Sequence, residues 1–137
     1  MNGVVRRYRP EDLVAVNKIL YESFKRTKSN FEGEEFCEVV VEVDSKVVGY
    51  LLLTKVRNPI IGKIYILVDY VCVVSEYRGY GLGERLLEYA ENYAKKEGAM
   101  YLQLTCRWTR IQAHQLYEKC GFKKRESDIF RKELLWY

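Results

Sequence analysis

The sequence holds a single histidine, two prolines and no pair of cysteines in a CxxC arrangement. Zinc-site spacing is therefore absent. The four cysteines, Cys37, Cys72, Cys106 and Cys120, stand far apart. Three fall in apolar runs and are expected to be small buried core residues, with nothing to favour disulfides. No apolar run is long enough to span a bilayer. The segment after Met1 carries Arg6, Arg7 and Arg9 instead of the apolar core of a signal peptide. A soluble cytoplasmic protein with no membrane partner is expected. Internal repeats, linkers and low-complexity tracts are missing as well.

An excess of one charge is also lacking. There are 23 basic and 19 acidic residues, a net charge of +4, and the two signs are interleaved. The one basic cluster, Lys123-Lys124-Arg125, is followed at once by Glu126. No aromatic-basic stripe accompanies it, so nucleic acid is not the expected partner. A mildly basic chain either attracts polyanions, phosphorylated cofactors included, or merely has a solvated surface.

What is present is core material. The 137 residues are 48% hydrophobic, enough for one folded domain over residues 1–137. Val4 to Arg7 predicts a short strand. Pro10 suits the first turn of a helix, with Glu11 and Asp12 at its positive end. Leu13, Val16, Leu20 and Phe24 follow at helical spacing. Cys37 to Val43 alternates, Asp44-Ser45 turns the chain, and Val47 to Leu53 is continuously apolar, which predicts a hairpin. Ile64 to Val74 reads as a central strand. Leu82, Leu86, Ala90 and Tyr93 mark a second helix that ends at Gly98. Met100 to Cys106 predicts another strand and Arg110 to Cys120 another helix, stopped by Gly121. Phe122 and Ile129 to Trp136 are expected to supply closing strands. The fold class is α/β with a mixed sheet and helices on its faces.

The stretch EYRGYGLGERLL places Gly79, Gly81 and Gly83 between the central strand and a helix start. Glycines there let a backbone approach an anion at the positive end of the helix. No GxxxxGK string followed by Ser or Thr exists, and GxGxxG fails at Glu84 and at Leu86. Arg-x-x-Gly-x-Gly remains, at Arg78, Gly81 and Gly83. Alone it describes equally a tight strand-to-helix turn.

Its context is Val71 to Val73 before it, Leu116-Tyr117 and Gly121-Phe122 after it, and Arg7 to Leu13 at the start. Together these resemble the GNAT N-acetyltransferase superfamily over nearly the whole chain. The resemblance implies a mostly antiparallel central sheet flanked by helices. It implies transfer of acetyl from acetyl-CoA, a co-substrate, to a primary amine, by direct attack through a tetrahedral intermediate and with no metal. The alternative is a non-catalytic acyl-CoA-binding or partner-binding module of the same fold.

By this resemblance Gly79, Tyr80, Gly81, Leu82, Gly83 and Glu84 hold the pyrophosphate, with Arg78 opening the loop. Val71, Cys72 and Val73 hold the pantetheine arm as an added strand. The Val73 amide faces the thioester oxygen. Tyr117 matches the general acid, although its spacing also suits a core tyrosine.

The acid that some members carry before the last long helix is missing here, where Gln103 and Thr105 stand. Asp69 is the candidate base, on the expectation that it shares a face with Leu67, Val71 and Val73. A structural ion pair is its other reading, and a water chain or Glu76 are the other bases. Arg110 stands where many members have Asn; it meets a CoA phosphate or faces solvent. His114 lies one helical turn on, either a proton relay or a plain helix residue. The acceptor, a small molecule or a protein, has no motif. The apolar tail Leu134 to Tyr137 leaves room for a homodimer.

Overall fold

The computed structural model describes residues 2–135. The elements run β1 (Gly3–Arg7), α1 (Leu13–Phe24), β2 (Phe36–Val43), β3 (Lys46–Asn58), β4 (Lys63–Val73), α2 (Leu82–Lys96), β5 (Leu102–Gln103) and α3 (Ile111–Lys119). Short 3-10 turns at Pro10–Asp12 and Ser75–Tyr77 precede α1 and the glycine loop. The sheet order is β1-β2-β3-β4-β5. The first three pairings are antiparallel and the last is parallel. The mixed sheet, the 37–53 hairpin and the central position of β4 agree with the sequence reading.

Each face of the sheet has its own core. Val39, Val41, Leu51, Leu53, Ile66, Val68 and Val71 pack against Leu82, Leu86, Leu87, Ala90 and Ala94 of α2. On the opposite face Val40, Val47, Tyr50 and Cys72 pack against Val16, Ile19 and Leu20 of α1. Alternation along β2 and β3 explains this division, and a bulge in β3 opposite Val41 and Glu42 lets Val47 and Tyr50, three residues apart, share the α1 face. Burial of these aliphatic side chains, at roughly 1.5–3 kcal/mol each, is the main stabilising term.

A buried ion pair fixes the start of α1. Arg6 of β1 holds Asp12 with both terminal nitrogens, at 2.8 and 3.0 Å. Asp12 also accepts the Arg9 backbone N–H at 2.8 Å. The Arg6 hydrogen bonds, against the opposing effect of burial, hold the Asp12 carboxyl below its ordinary range.

Three expectations change. The strand expected from Met100 to Cys106 is confined to Leu102–Gln103, because β4 pairs with it only at Ile66 and Leu67. The closing strand expected from Ile129 to Trp136 is absent through Leu135, and Trp136 lies outside the described residues. A two-residue β5 offers no ladder to extend, and Ile129, Phe130, Leu134 and Leu135 stand exposed. Of the cysteines, Cys37 and Cys72 are buried, Cys106 and Cys120 only half so, and all four are free.

Candidate active site

The site is built where β4 and β5 part. Their pairing stops at Leu67 with Gln103. Beyond it, this edge of β4 from Val68 to Val73 has no strand beside it among the described residues. The Arg78 side chain caps the end of this edge, its Nε donating to the Val73 carbonyl at 2.9 Å.

The glycine loop follows. Gly79 and Gly81 have φ of +85° and +78°, a region that costs other residues about 1–2 kcal/mol. A Cβ built on either meets nothing within 4 Å, so the space in front of the loop is open. Gly81 is the N-cap of α2, and no side chain caps that helix. The first-turn amides of α2 therefore face outward at the positive end of its dipole.

Gly83 has a different reason. A Cβ there would lie 3.1 Å from Leu116 Cδ2, so this glycine lets α3 lie close against α2. Of the other loop residues, Leu82 is a core side chain and Tyr80 is exposed. Glu84 pairs with Lys119 at 2.7 Å on the surface. These three residues offer the loop their backbone. An uncapped helix end, an open glycine cradle and a free strand edge fit a pyrophosphate attached to an amide-rich arm.

Tyr117 is buried, with its ring edge-on to Phe122 at 6.1 Å between centroids. Burial first, with smaller pushes from the nearby Cys106 and Cys72 and against the opposing Arg110 charge, brings its phenol up to about 12. Its hydroxyl has no hydrogen-bond partner among the described residues, yet only Arg6 Nε is both unpaired and sealed from solvent. The hydroxyl is therefore reached by solvent, as a protonated phenol.

Asp69 is half-buried, and burial raises its carboxyl above the ordinary range. It has no ion pair among the described residues. Its face differs from the expected one. Tyr70 has φ of +57°, and β4 carries an extra residue between Asp69 and Cys72 relative to β3. This bulge resets the alternation. Val71 and Val73 face α2, whereas Asp69, paired with Leu52, faces α1.

The Tyr70 ring sits edge-on to Phe24 of α1 at 5.1 Å, and Arg110 lies over the Phe24 ring at 5.7 Å. Arg110 thus reaches from the start of α3 to α1 while staying exposed. The other end of α3 packs against the glycine loop through Leu116 and Gly83. His114 Nε2 lies 2.8 Å from the Arg107 carbonyl and braces the loop before α3. Glu76 is exposed and takes the Ser75 hydroxyl at 3.3 Å. Gln103 and Thr105 are exposed.

Sequence reasoning missed a second cluster on the α1 face. Glu38 of β2 accepts the Tyr50 hydroxyl at 2.7 Å and pairs with the Lys28 ammonium. Lys28 Nζ lies 4.6 Å from the centre of the Tyr8 ring. In the sequence Glu38 is only the polar half of an alternating strand, and nothing local signals Lys28. Among the described residues no group of His, Cys, Asp and Glu could hold a metal ion. No helix there is long and apolar enough to cross a membrane.

The chain was compared with known proteins. It is 30% identical over 130 residues to an uncharacterised N-acetyltransferase of Methanocaldococcus jannaschii, covering 90% of this chain and 80% of the relative. Its fold matches a transcriptional regulator of Bacillus halodurans C-125 with a TM-score of 0.85 and 21% identity, over 96% of this chain and 100% of that one. It also matches a ribosomal-protein-alanine N-acetyltransferase of Brucella melitensis biovar Abortus 2308, with a TM-score of 0.83 and 16% identity, over 97% and 100%. The profile of the Acetyltransferase (GNAT) family matches residues 3–122. The chain belongs to the GNAT acetyltransferase family.

Proposed function

We propose that this chain transfers an acetyl group from acetyl-CoA to a primary amine by direct attack. The observation that carries the proposal is the continuity of three features. The β4 edge freed where β5 ends runs through Val73 into the glycine loop and the uncapped start of α2, and α3, which carries Tyr117, packs on that start through Leu116 and Gly83.

Backbone amides from Gly79 to Glu84 would hold the pyrophosphate, and the edge of Val71, Cys72 and Val73 the pantetheine arm. When bound, acetyl-CoA supplies an acyl thioester open to nucleophiles. The Val73 amide then opposes charge on the thioester oxygen, where a fixed donor is worth most.

Two proton transfers fall to this chain. An ammonium must lose a proton before its nitrogen can form the new C–N bond. Asp69 takes that proton, directly or through water, and burial, which raises its carboxyl above the ordinary range, makes it a stronger base than a free carboxylate. As the C–S bond breaks, Tyr117 gives its proton to the departing sulfur; the nitrogen of the new C–N bond sheds its remaining extra proton to solvent, and solvent reprotonates Tyr117. A phenol pushed up to about 12 by burial stays protonated until that moment. Arg110, exposed beside the Phe24 ring, would meet a CoA phosphate.

The Brucella neighbour acts on ribosomal-protein alanine. A peptide N-terminus is therefore one acceptor to try here, beside small amines. Thiol release with a panel of amines tests the proposal. Acetyl-CoA-dependent release with at least one amine is expected. Binding of acetyl-CoA without acetylation of any amine would leave a non-catalytic acyl-CoA-binding module.

A further inference from the structure

The register of the sheet sets three side chains in a row on the α1 face. Glu38 of β2 pairs with Leu52 of β3, and Leu52 pairs with Asp69 of β4. Neighbouring strands lie about 4.8 Å apart, so the two acidic residues are roughly 10 Å apart at their Cα atoms. The row reads carboxylate, aliphatic, carboxylate. Glu38, Leu52 and Asp69 are all only partly buried, and the row lies beside α1.

The two acids differ in their partners. Asp69 has none among the described residues. Glu38 has a built setting for a primary ammonium: its carboxylate, the Tyr50 hydroxyl at 2.7 Å and the face of Tyr8. An ammonium is already seated there, that of Lys28. Lys28 comes from the polar segment between α1 and β2. Its backbone N–H donates to Asn17 Oδ1 at 2.8 Å, and residues 31–35 beyond it are exposed. A long methylene chain ending in an ammonium thus occupies one end of the row, while the other end stands open.

The geometry points to an acceptor with two amino groups, an aliphatic α,ω-diamine or polyamine. Its reacting amine lies at Asp69, its methylenes cross Leu52, and its second ammonium displaces Lys28 from Glu38. The row is complementary in both charge and apolar spacing. A free amino acid fits poorly, because its carboxylate would add a like charge to a row bounded by two acids. A monoamine leaves Glu38 with Lys28 and gains nothing from it.

This inference rests on the acetyltransferase reading, and the test separates the two. Putrescine and cadaverine are compared with n-butylamine, n-pentylamine and an alanine-initiated peptide, at saturating acetyl-CoA, by thiol release. The diamines should exceed the matched monoamines in kcat/KM by roughly tenfold or more, the scale of one close charge pair. Glu38→Gln should raise the putrescine KM and bring that ratio towards one. Lys28→Ala should do the opposite and lower the putrescine KM, because the internal competitor is gone. General loosening of the fold would not produce opposite signs.

Equal kcat/KM for diamines and monoamines in the parent protein would overturn the inference and leave the transferase reading standing. Failure to acetylate any amine, the peptide included, would overturn both. Circular dichroism checks the folding of Glu38→Gln. Should it unfold, Lys28→Ala decides, and an unchanged or raised putrescine KM in that variant overturns the inference.

Discussion

Asp69 and Val71 stand on opposite faces of β4, although two residues apart on a regular strand they would share one. The positive φ of Tyr70 between them is the cause. The bulge turns Val71 and Val73 into the α2 core and leaves Asp69 on the α1 side. In the proposed reaction one residue would thereby separate the strand edge that takes acetyl-CoA from the carboxylate that takes the proton of the amine.

Asp69→Asn should flatten the acid limb of the pH dependence of kcat/KM. Burial raises the Asp69 carboxyl, so in the parent protein activity should climb with pH through a value above the ordinary carboxylate range of about 4. A pH–rate profile from acid to neutral checks this. An unchanged limb in the variant would assign the proton to water or another group.

Tyr117→Phe should lower kcat by roughly a hundredfold, in the range typical of a lost general acid. The affinity for acetyl-CoA should change little, since the ring and its contact with Phe122 remain. Calorimetric titration with acetyl-CoA beside steady-state kinetics separates the two. A variant with normal kcat would return Tyr117 to a packing role.

Gly81→Val should weaken acetyl-CoA binding and lower thermal stability together. The φ of +78° is strained for a β-branched residue, at about 1–2 kcal/mol, and the side chain would enter the open space before α2. Normal affinity in a folded variant would remove the loop from the site. Gly83→Val tests the other use of glycine, because its side chain would strike Leu116. It should loosen α3 against α2 and disturb Tyr117 through its helix.

Much of this was legible in the sequence, and for identifiable reasons. Alternation from Cys37 to Val43 and the apolar run after Ser45 mark the hairpin because each strand buries at least one face. The loop from Arg78 to Gly83 is legible because positive φ and close helix packing both demand glycine. The face of Asp69 was not, since a bulge changes parity without changing composition. The reach of Arg110 to Phe24 joins residues 86 positions apart and leaves no local trace. The seating of Lys28 on Glu38 depends equally on tertiary placement. The apolar letters from Ile129 to Leu135 suggested a strand, but a strand also needs a ladder, and two-residue β5 supplies none.

Acid should weaken the fold through Asp12. Its folded-state pKa is depressed by Arg6, so it contributes stability above its unfolded value of about 3.9 and loses it as pH falls through the lower folded value. Asp12→Asn should cost about 2 kcal/mol at neutral pH, the scale of hydrogen bonds to a charged partner. It should also make the melting temperature less sensitive to acid. Melting curves of both proteins from neutral pH down to about 3 measure this.

Direct transfer leaves no acetyl group on the protein, and a single turnover shows whether this holds. The protein is loaded with acetyl-CoA carrying a labelled acetyl group and mixed with the best amine from the panel. Mass spectrometry then follows the label in the amine and in the protein. Label should appear in the amine and at no time on the protein. Label on a side chain, Cys72 or Cys106 included, or intact acetyl-CoA with unlabelled amine, would contradict direct transfer.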